Sequence, residues 1–134
     1  MAKKSDLLRP TDAELDILNI LWDEGEATVR QVHERLQARK PSQYTTTLKL
    51  MQIMAEKGLV ERNETARSHI YKARHAREQV QRRVAKYLLD RFFDGSARSL
   101  MLGALDAKPA SQSELTELRQ LLADYEKSNR RSKR

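Results

Sequence analysis

Within Ser42-Gln43-Tyr44-Thr45-Thr46-Thr47-Leu48-Lys49, three threonines and a lysine open a run otherwise rich in Leu, Met and Ile. Threonine is a poor helix former, and its hydroxyl is unwelcome in a core. Placed on a wheel at about 100° per residue, the run up to Lys57 splits into two faces. With Met51 at the centre of the buried face, Tyr44, Thr47, Leu48, Met54 and Ala55 fall on the same side. Ser42, Thr45, Thr46, Lys49, Ile53 and Glu56 fall opposite. Hydroxyls and an ammonium gathered at the start of a helix suit contact with base edges and phosphates. Thr can bond or pack against a thymine methyl, Lys can reach guanine acceptors, and the free N–H groups of a helix start attract phosphate. The plainer alternative for Thr45 and Thr46 is that they are polar helix-start residues only.

Other basic and polar residues strengthen the nucleic-acid expectation. Arg67, Ser68 and His69 lie where a turn meets a strand-like run, and an Arg at such a tip can enter a minor groove or bind phosphate. Arg30 stands at the start of a short amphipathic helix. Between Arg67 and Arg83 there are six cations, Arg67, Lys72, Arg74, Arg77, Arg82 and Arg83, against the single acid Glu78. The chain carries +7 with a pI near 9.9, which favours an anionic partner. Five of the cations, Lys127, Arg130, Arg131, Lys133 and Arg134, sit in the terminal run, and removing them from +7 leaves only +2. A solvated basic tail accounts for that part as readily.

Several chemistries are disfavoured. There is no cysteine, which removes disulfides, thiolate metal sites and a thiol nucleophile. His33, His69 and His75 lack zinc-ligand spacing, and His69 reads first as a surface histidine. Asp16, Asp23, Glu24 and Glu26 lie at helix surfaces and ends without a paired base or a Gly-rich phosphate loop, so no catalytic set is expected. No metal or cofactor is expected either. No apolar run approaches the ~20 residues of a membrane span, and MAKKSDLLRPTD is no secretory signal. A cytoplasmic protein without membrane insertion is expected.

The elements that must position these residues follow from caps and periodicity. Thr11-Asp12-Ala13-Glu14 is a capping box, opening a helix with Leu15, Ile17, Leu18, Leu21 and Trp22 as its apolar stripe and Trp22 in the core. Thr28-Val29-Arg30-Gln31 is a second capping box, and its helix ends before Pro41. Ser42 is the expected cap of the third helix, and Gly58 its left-handed terminus. Leu59–Arg62 and Ser68–Lys72 read as two short strands around the polar turn 63–67. After Ala73, Val80, Val84, Tyr87, Leu88 and Phe92 return to helical steps until Asp94-Gly95-Ser96. A short helix with Leu100, Met101, Ala104 and Leu105 follows, stopped at Lys108-Pro109. Ser111 caps the last helix, where Leu115, Leu118, Leu122 and Tyr125 form a narrow coiled-coil type seam.

The expected fold class is therefore mainly α. An N-terminal winged helix-turn-helix with a small β-hairpin wing occupies 1–75, a helical dimerisation domain 76–128 and a basic tail 129–134. The C-terminal helices have few partners within so short a segment. Burial against a second copy through Val84, Leu88, Phe92, Leu100, Met101, Leu115, Leu118, Leu122 and Tyr125 is expected; packing back on the first domain is the alternative.

Four stretches in order carry a family resemblance: Thr11-Asp12-Ala13-Glu14-Leu15 with Ile17-Leu18 and Leu21-Trp22; Thr28-Val29-Arg30-Gln31-Val32; Tyr44-Thr45-Thr46-Thr47-Leu48 with Glu56-Lys57-Gly58-Leu59-Val60; and Arg67-Ser68-His69-Ile70-Tyr71. Together they resemble the penicillinase repressor family, BlaI/MecI, strongly over residues 10–75. The resemblance implies a homodimeric transcriptional repressor whose winged helix binds a palindromic double-stranded operator and whose C-terminal helices dimerise. In that family a membrane-bound zinc peptidase receptor often triggers cleavage of the repressor. The cleaved Asn-Phe bond of its best-known members falls near Gly103-Ala104 here, and the family's frequent Arg is replaced by Ile53. Copper-responsive relatives carry a cysteine-rich motif that this chain lacks. A winged-helix protein-interaction adaptor is the competing expectation.

Overall fold

The computed structural model describes residues 9–65 and 67–132. Contacts gather into two compact units, 1–87 and 88–134.

The first unit begins with α1 (Asp12–Glu24). Its capping box is closed both ways: the Thr11 hydroxyl accepts the Glu14 N–H at 3.2 Å, and Glu14 Oε1 accepts the Thr11 N–H at 2.9 Å. The helix stops at Gly25, whose φ of 87° favours glycine. Strand β1 (Ala27–Thr28) leads directly into α2 (Val29–Gln37), where Thr28 and Gln31 form the second closed capping box. Helix α3 (Tyr44–Lys57) ends on Gly58 at φ 83° and ψ 17°. Strands β2 (Val60–Asn63) and β3 (Ile70–Ala73) pair antiparallel, Val60 opposite Ala73 and Asn63 opposite Ile70.

Ile17, Leu18, Leu21, Val32, Met51, Met54, Leu59 and Tyr71 make the centre of one core, each 2% exposed or less. These residues come from α1, α2, α3, the α3–β2 junction and β3, so the core fixes α3 against both other helices and the sheet. Its burial supplies the main driving force for the unit. Glu14 lies among them at 1% exposure, its Oε2 accepting from Lys57 Nζ at 2.9 Å.

Five expectations need correction here. Ser42 does not cap α3; Gln43 occupies that position, with no side-chain cap bond, because the Ser42 backbone is held by Gln37. Leu59 does not begin a strand. Its N–H bonds to Met54 C=O at 2.9 Å and Gly58 N–H to Ala55 C=O at 3.2 Å, so it closes α3 in a Schellman turn. Ser68 and His69 likewise lie before β3. The hairpin has a third strand: β1 pairs with β3 through Ala27–Tyr71 and Thr28–Ile70, in the order β1-β3-β2. Two residues carry no readable period, so only tertiary pairing exposes that strand. Trp22 sits at the rim of the core, half-buried, donating its indole N–H to His75 C=O at 2.9 Å.

Helix α4 (Arg77–Arg91) begins in the first unit, where Arg77 bonds Asp23 at 2.9 Å and Val80 is buried. The second unit holds α5 (Ala97–Ala107), capped by Ser96, and α6 (Gln112–Ser132), whose Ser111 hydroxyl accepts the Glu114 N–H at 3.1 Å. The expected basic tail is helical as far as Ser132; Lys133 and Arg134 lie outside the described residues. Among the described residues, no helix is long and apolar enough to cross a membrane.

Candidate nucleic-acid interface

Helix α3 faces outward as its composition demands. Thr45, Thr46, Lys49, Gln52 and Glu56 are exposed, Ile53 is half-buried, and Thr47, Met51 and Met54 are buried. Tyr44 departs from its expected place inside. It is 39% exposed, with its ring 5.5 Å from that of His33 in an edge-on arrangement and the Arg30 guanidinium 5.6 Å from its centroid. At the first turn of a helix little of the neighbouring layer remains to cover an aromatic ring.

The start of α3 differs from four of the other five helix starts, α4 also having no Ser or Thr cap. Ser or Thr hydroxyls accept a backbone N–H at the beginning of α1, α2, α5 and α6. Gln43 makes no such bond; the Thr46 N–H turns to the Gln43 C=O at 3.1 Å, and among the described residues the Tyr44 and Thr45 N–H groups are left for an external acceptor.

An open groove of about 480 Å³ joins this helix to the hairpin. Arg30, Tyr44 and Gln52 line one side and Arg62, Arg67 and His69 the other, with no carboxylate among the lining residues. Arg62 is held firmly charged: hydrogen bonding to the Tyr71 side chain, and then the Glu64 carboxylate, raise its pKa above the ordinary guanidinium value. The turn of the hairpin is stiffened at Asn63, whose Oδ1 accepts from both the N–H and hydroxyl of Thr65. Three arginines, a histidine and the exposed side of α3 thus share one surface.

A profile described as the penicillinase repressor matches residues 10–124. The chain belongs to the penicillinase repressor family. The family is one of transcriptional repressors, not of enzymes. The chain is similar to the transcriptional regulator BlaI of Mycobacterium tuberculosis, 33% identical over 125 residues that cover 90% of this chain and 87% of that protein. It is similar to the penicillinase repressor of Staphylococcus aureus, 24% identical over 115 residues covering 86% and 91%. A solution structure of the DNA-binding domain of the repressor BlaI aligns with 57% of this chain and 90% of its own, at 18% identity and a TM-score of 0.49.

In this repressor the structure brings Arg30, Arg67, Ser68 and His69 to one groove, while Thr45, Thr46 and Lys49 occupy the adjoining face of α3. Ser42 is half-buried at the preceding turn. Gln52 and Arg62 were not anticipated. Gln52 had a signal: it lies one turn beyond Lys49 and falls within the Thr45–Lys49–Glu56 stripe. No bond to its amide is present among the described residues. Arg62 had none, because a cation on a short strand points to either face until the register is known.

In the C-terminal unit, Leu88, Leu100, Leu115 and Leu118 are half-buried, as is Val84 of the first unit. Phe92, Met101, Leu122 and Tyr125 are exposed, at 68%, 38%, 49% and 68%. Leu102 and Leu121 add 49% and 61%.

Proposed function

We propose that this DNA-binding repressor acts as a homodimer on a palindromic operator, with α3 in the major groove and the hairpin against the adjoining backbone. The observation that carries this is the acid-free groove joining α3 to the hairpin, next to a helix start with no side-chain cap. Thr45, Thr46, Lys49 and Gln52 would meet base edges. Arg30, Arg67, Ser68 and His69 would meet phosphate or the minor groove.

The dimer is supported by the C-terminal unit itself. No described residue from Leu88 onward is buried, and a set of helices without a buried core does not stay folded alone. α5 and α6 form an apolar groove of about 540 Å³, lined by Leu100, Met101, Ala104, Leu105 and Leu118. Leu121, Leu122 and Tyr125 project from α6. The same seam on a second copy would cover both. Two α3 helices related by a twofold axis would then enter successive major grooves about 34–36 Å apart. Control by a membrane-bound zinc peptidase receptor, in the cytoplasm, belongs to the same reading. Gly103 and Ala104 lie inside α5, so a protease would have to unwind that helix to reach their peptide bond.

Selection of bound sequences from random duplex DNA tests the proposal. A palindromic consensus is expected, bound with an affinity that falls steeply with salt as counterions are released. Weak binding without a preferred sequence would overturn it in favour of a protein-interaction adaptor.

A further inference from the structure

One side chain holds the turn between α2 and α3. Gln37, the last residue of α2, takes both backbone groups of Ser42: its Oε1 accepts the Ser42 N–H at 3.2 Å, and its Nε2 donates to the Ser42 C=O at 2.6 Å. A backbone N–H only donates and a carbonyl only accepts, so the two ends of the amide are unambiguous. The second Nε2 hydrogen of Gln37 meets His33 Nε2 at 3.1 Å. That ring nitrogen must therefore be a bare acceptor. In a neutral imidazole the proton then sits on Nδ1, which donates to Thr47 Oγ1 at 3.0 Å. Thr47 is 2% exposed, on the inner side of α3. The chain Ser42–Gln37–His33–Thr47 thus ties α2 to the first turns of α3, and only one protonation state of His33 fits it.

A proton added at His33 Nε2 would set two N–H donors 3.1 Å apart. Rotating the Gln37 amide would relieve that contact but place its NH₂ against the Ser42 N–H and its oxygen against the Ser42 C=O. Either way, bonds at the front of α3 are lost. The other groups around the ring do not supply an alternative acceptor. Tyr44 from α3 stands edge-on at 5.5 Å, and Arg30, one turn back on α2, lies 5.6 Å from the Tyr44 ring. Glu34 and Arg35 line the opposite side of α2 with Glu24 and Glu26. Lys49 and Glu56 are on the exposed face of α3, and Lys57 is paired with Glu14 of α1.

We propose that Gln37 and His33 are positioning residues for DNA reading: they hold the N-terminal turn of α3 in register, and protonation of His33 releases it. This rests on α3 being the helix that reads DNA. The expected direction opposes the usual one, because added positive charge on a DNA-binding surface strengthens binding.

The test uses the full chain in two measurements. In ¹⁵N-histidine-labelled protein without DNA, assigned with H33Q, His33 should show Nδ1 protonated and Nε2 bare near pH 8. The opposite tautomer would overturn the proposal. Affinity for the selected duplex is then measured between about pH 8 and pH 6 for wild type, Q37A and Q37E. His69 and His75 are common to all three proteins, so any effect through either drops out of the ratios. At pH 8, Q37A should bind about fivefold more weakly than wild type, the worth of roughly one net hydrogen bond. That difference should shrink toward pH 6. Q37E should reverse the trend, because a carboxylate accepts from Ser42 N–H and from a protonated His33. Three parallel pH profiles, or Q37A equal to wild type at pH 8, would overturn it. If no preferred duplex emerges, the recognition-helix reading fails, while the tautomer measurement still decides whether the latch exists.

Discussion

Removing the cation beside Glu14 should unfold the N-terminal unit far more readily than its single contact suggests. Glu14 is 1% exposed; Oε1 takes the Thr11 N–H and Oε2 takes Lys57 Nζ, each at 2.9 Å. Lys57→Met keeps the aliphatic stem and deletes only the charge. It leaves a buried carboxylate with one hydrogen bond and no cation. Breaking a buried pair costs about 3–5 kcal/mol. Lys57 itself is 27% exposed, so the pair is already partly hydrated and the low end applies, about 3 kcal/mol. Glu14→Gln should cost less, about 1–2 kcal/mol, because the amide oxygen can still accept and the ammonium can turn to water. The double variant should be less unstable than the sum, by about 1–2 kcal/mol of coupling. For a unit of this size Lys57→Met then lowers Tm by roughly 12–24 °C. Trp22 is the chain's single tryptophan and bonds across the same unit, so its fluorescence in urea titrations and thermal melts follows this unit alone. A cost for Lys57→Met under about 1 kcal/mol, or one smaller than that of Glu14→Gln, would refute the reasoning.

Lys49→Ala should weaken binding to the selected duplex by about 1–3 kcal/mol in gel-shift titrations if the ammonium reads a base, and unchanged affinity and selectivity would remove it from the interface. Gln52→Ala should flatten base preference at one symmetric pair of operator positions in a repeated selection, where Gln suits adenine; an unaltered consensus would place Gln52 outside the reading face. Leu122→Glu, which sets a carboxylate in the α6 seam, should shift the protein from dimer to monomer in analytical ultracentrifugation at micromolar concentration, and an undisturbed dimer would put the interface elsewhere. Gly58→Ala, at φ 83°, should destabilise the first unit by about 1 kcal/mol in the same fluorescence titrations, and a neutral result would mean that the end of α3 relaxes freely.

Local signals were legible wherever chemistry acts over three or four residues. Both capping boxes, the Gly58 terminus and the break at Asp94-Gly95-Ser96 depend on neighbours along the chain, and they stand where the sequence places them. The two faces of α3 followed from its period, apart from Tyr44 at its first turn. Errors arose where a partner five residues back, just beyond the helical spacing, decided the outcome. Ser42 has the right side chain for a cap, but its backbone is bound by Gln37, and the helix starts two residues later, at Tyr44. Leu59 has strand-like neighbours, yet its N–H closes α3.

By itself, the order of caps, periods and turns determined a three-helix unit with a hairpin and a helix whose polar face was left free, because these depend on short-range sterics and on hydrophobic spacing. Only tertiary structure decided which polar groups meet. The two-residue strand against β3, the Glu14–Lys57 pair, Arg62 and Gln52 in the same groove, and the Gln37–His33–Thr47 relay all join residues from separate elements. Their partners are set by how the helices and sheet close on one core, and no local period records that.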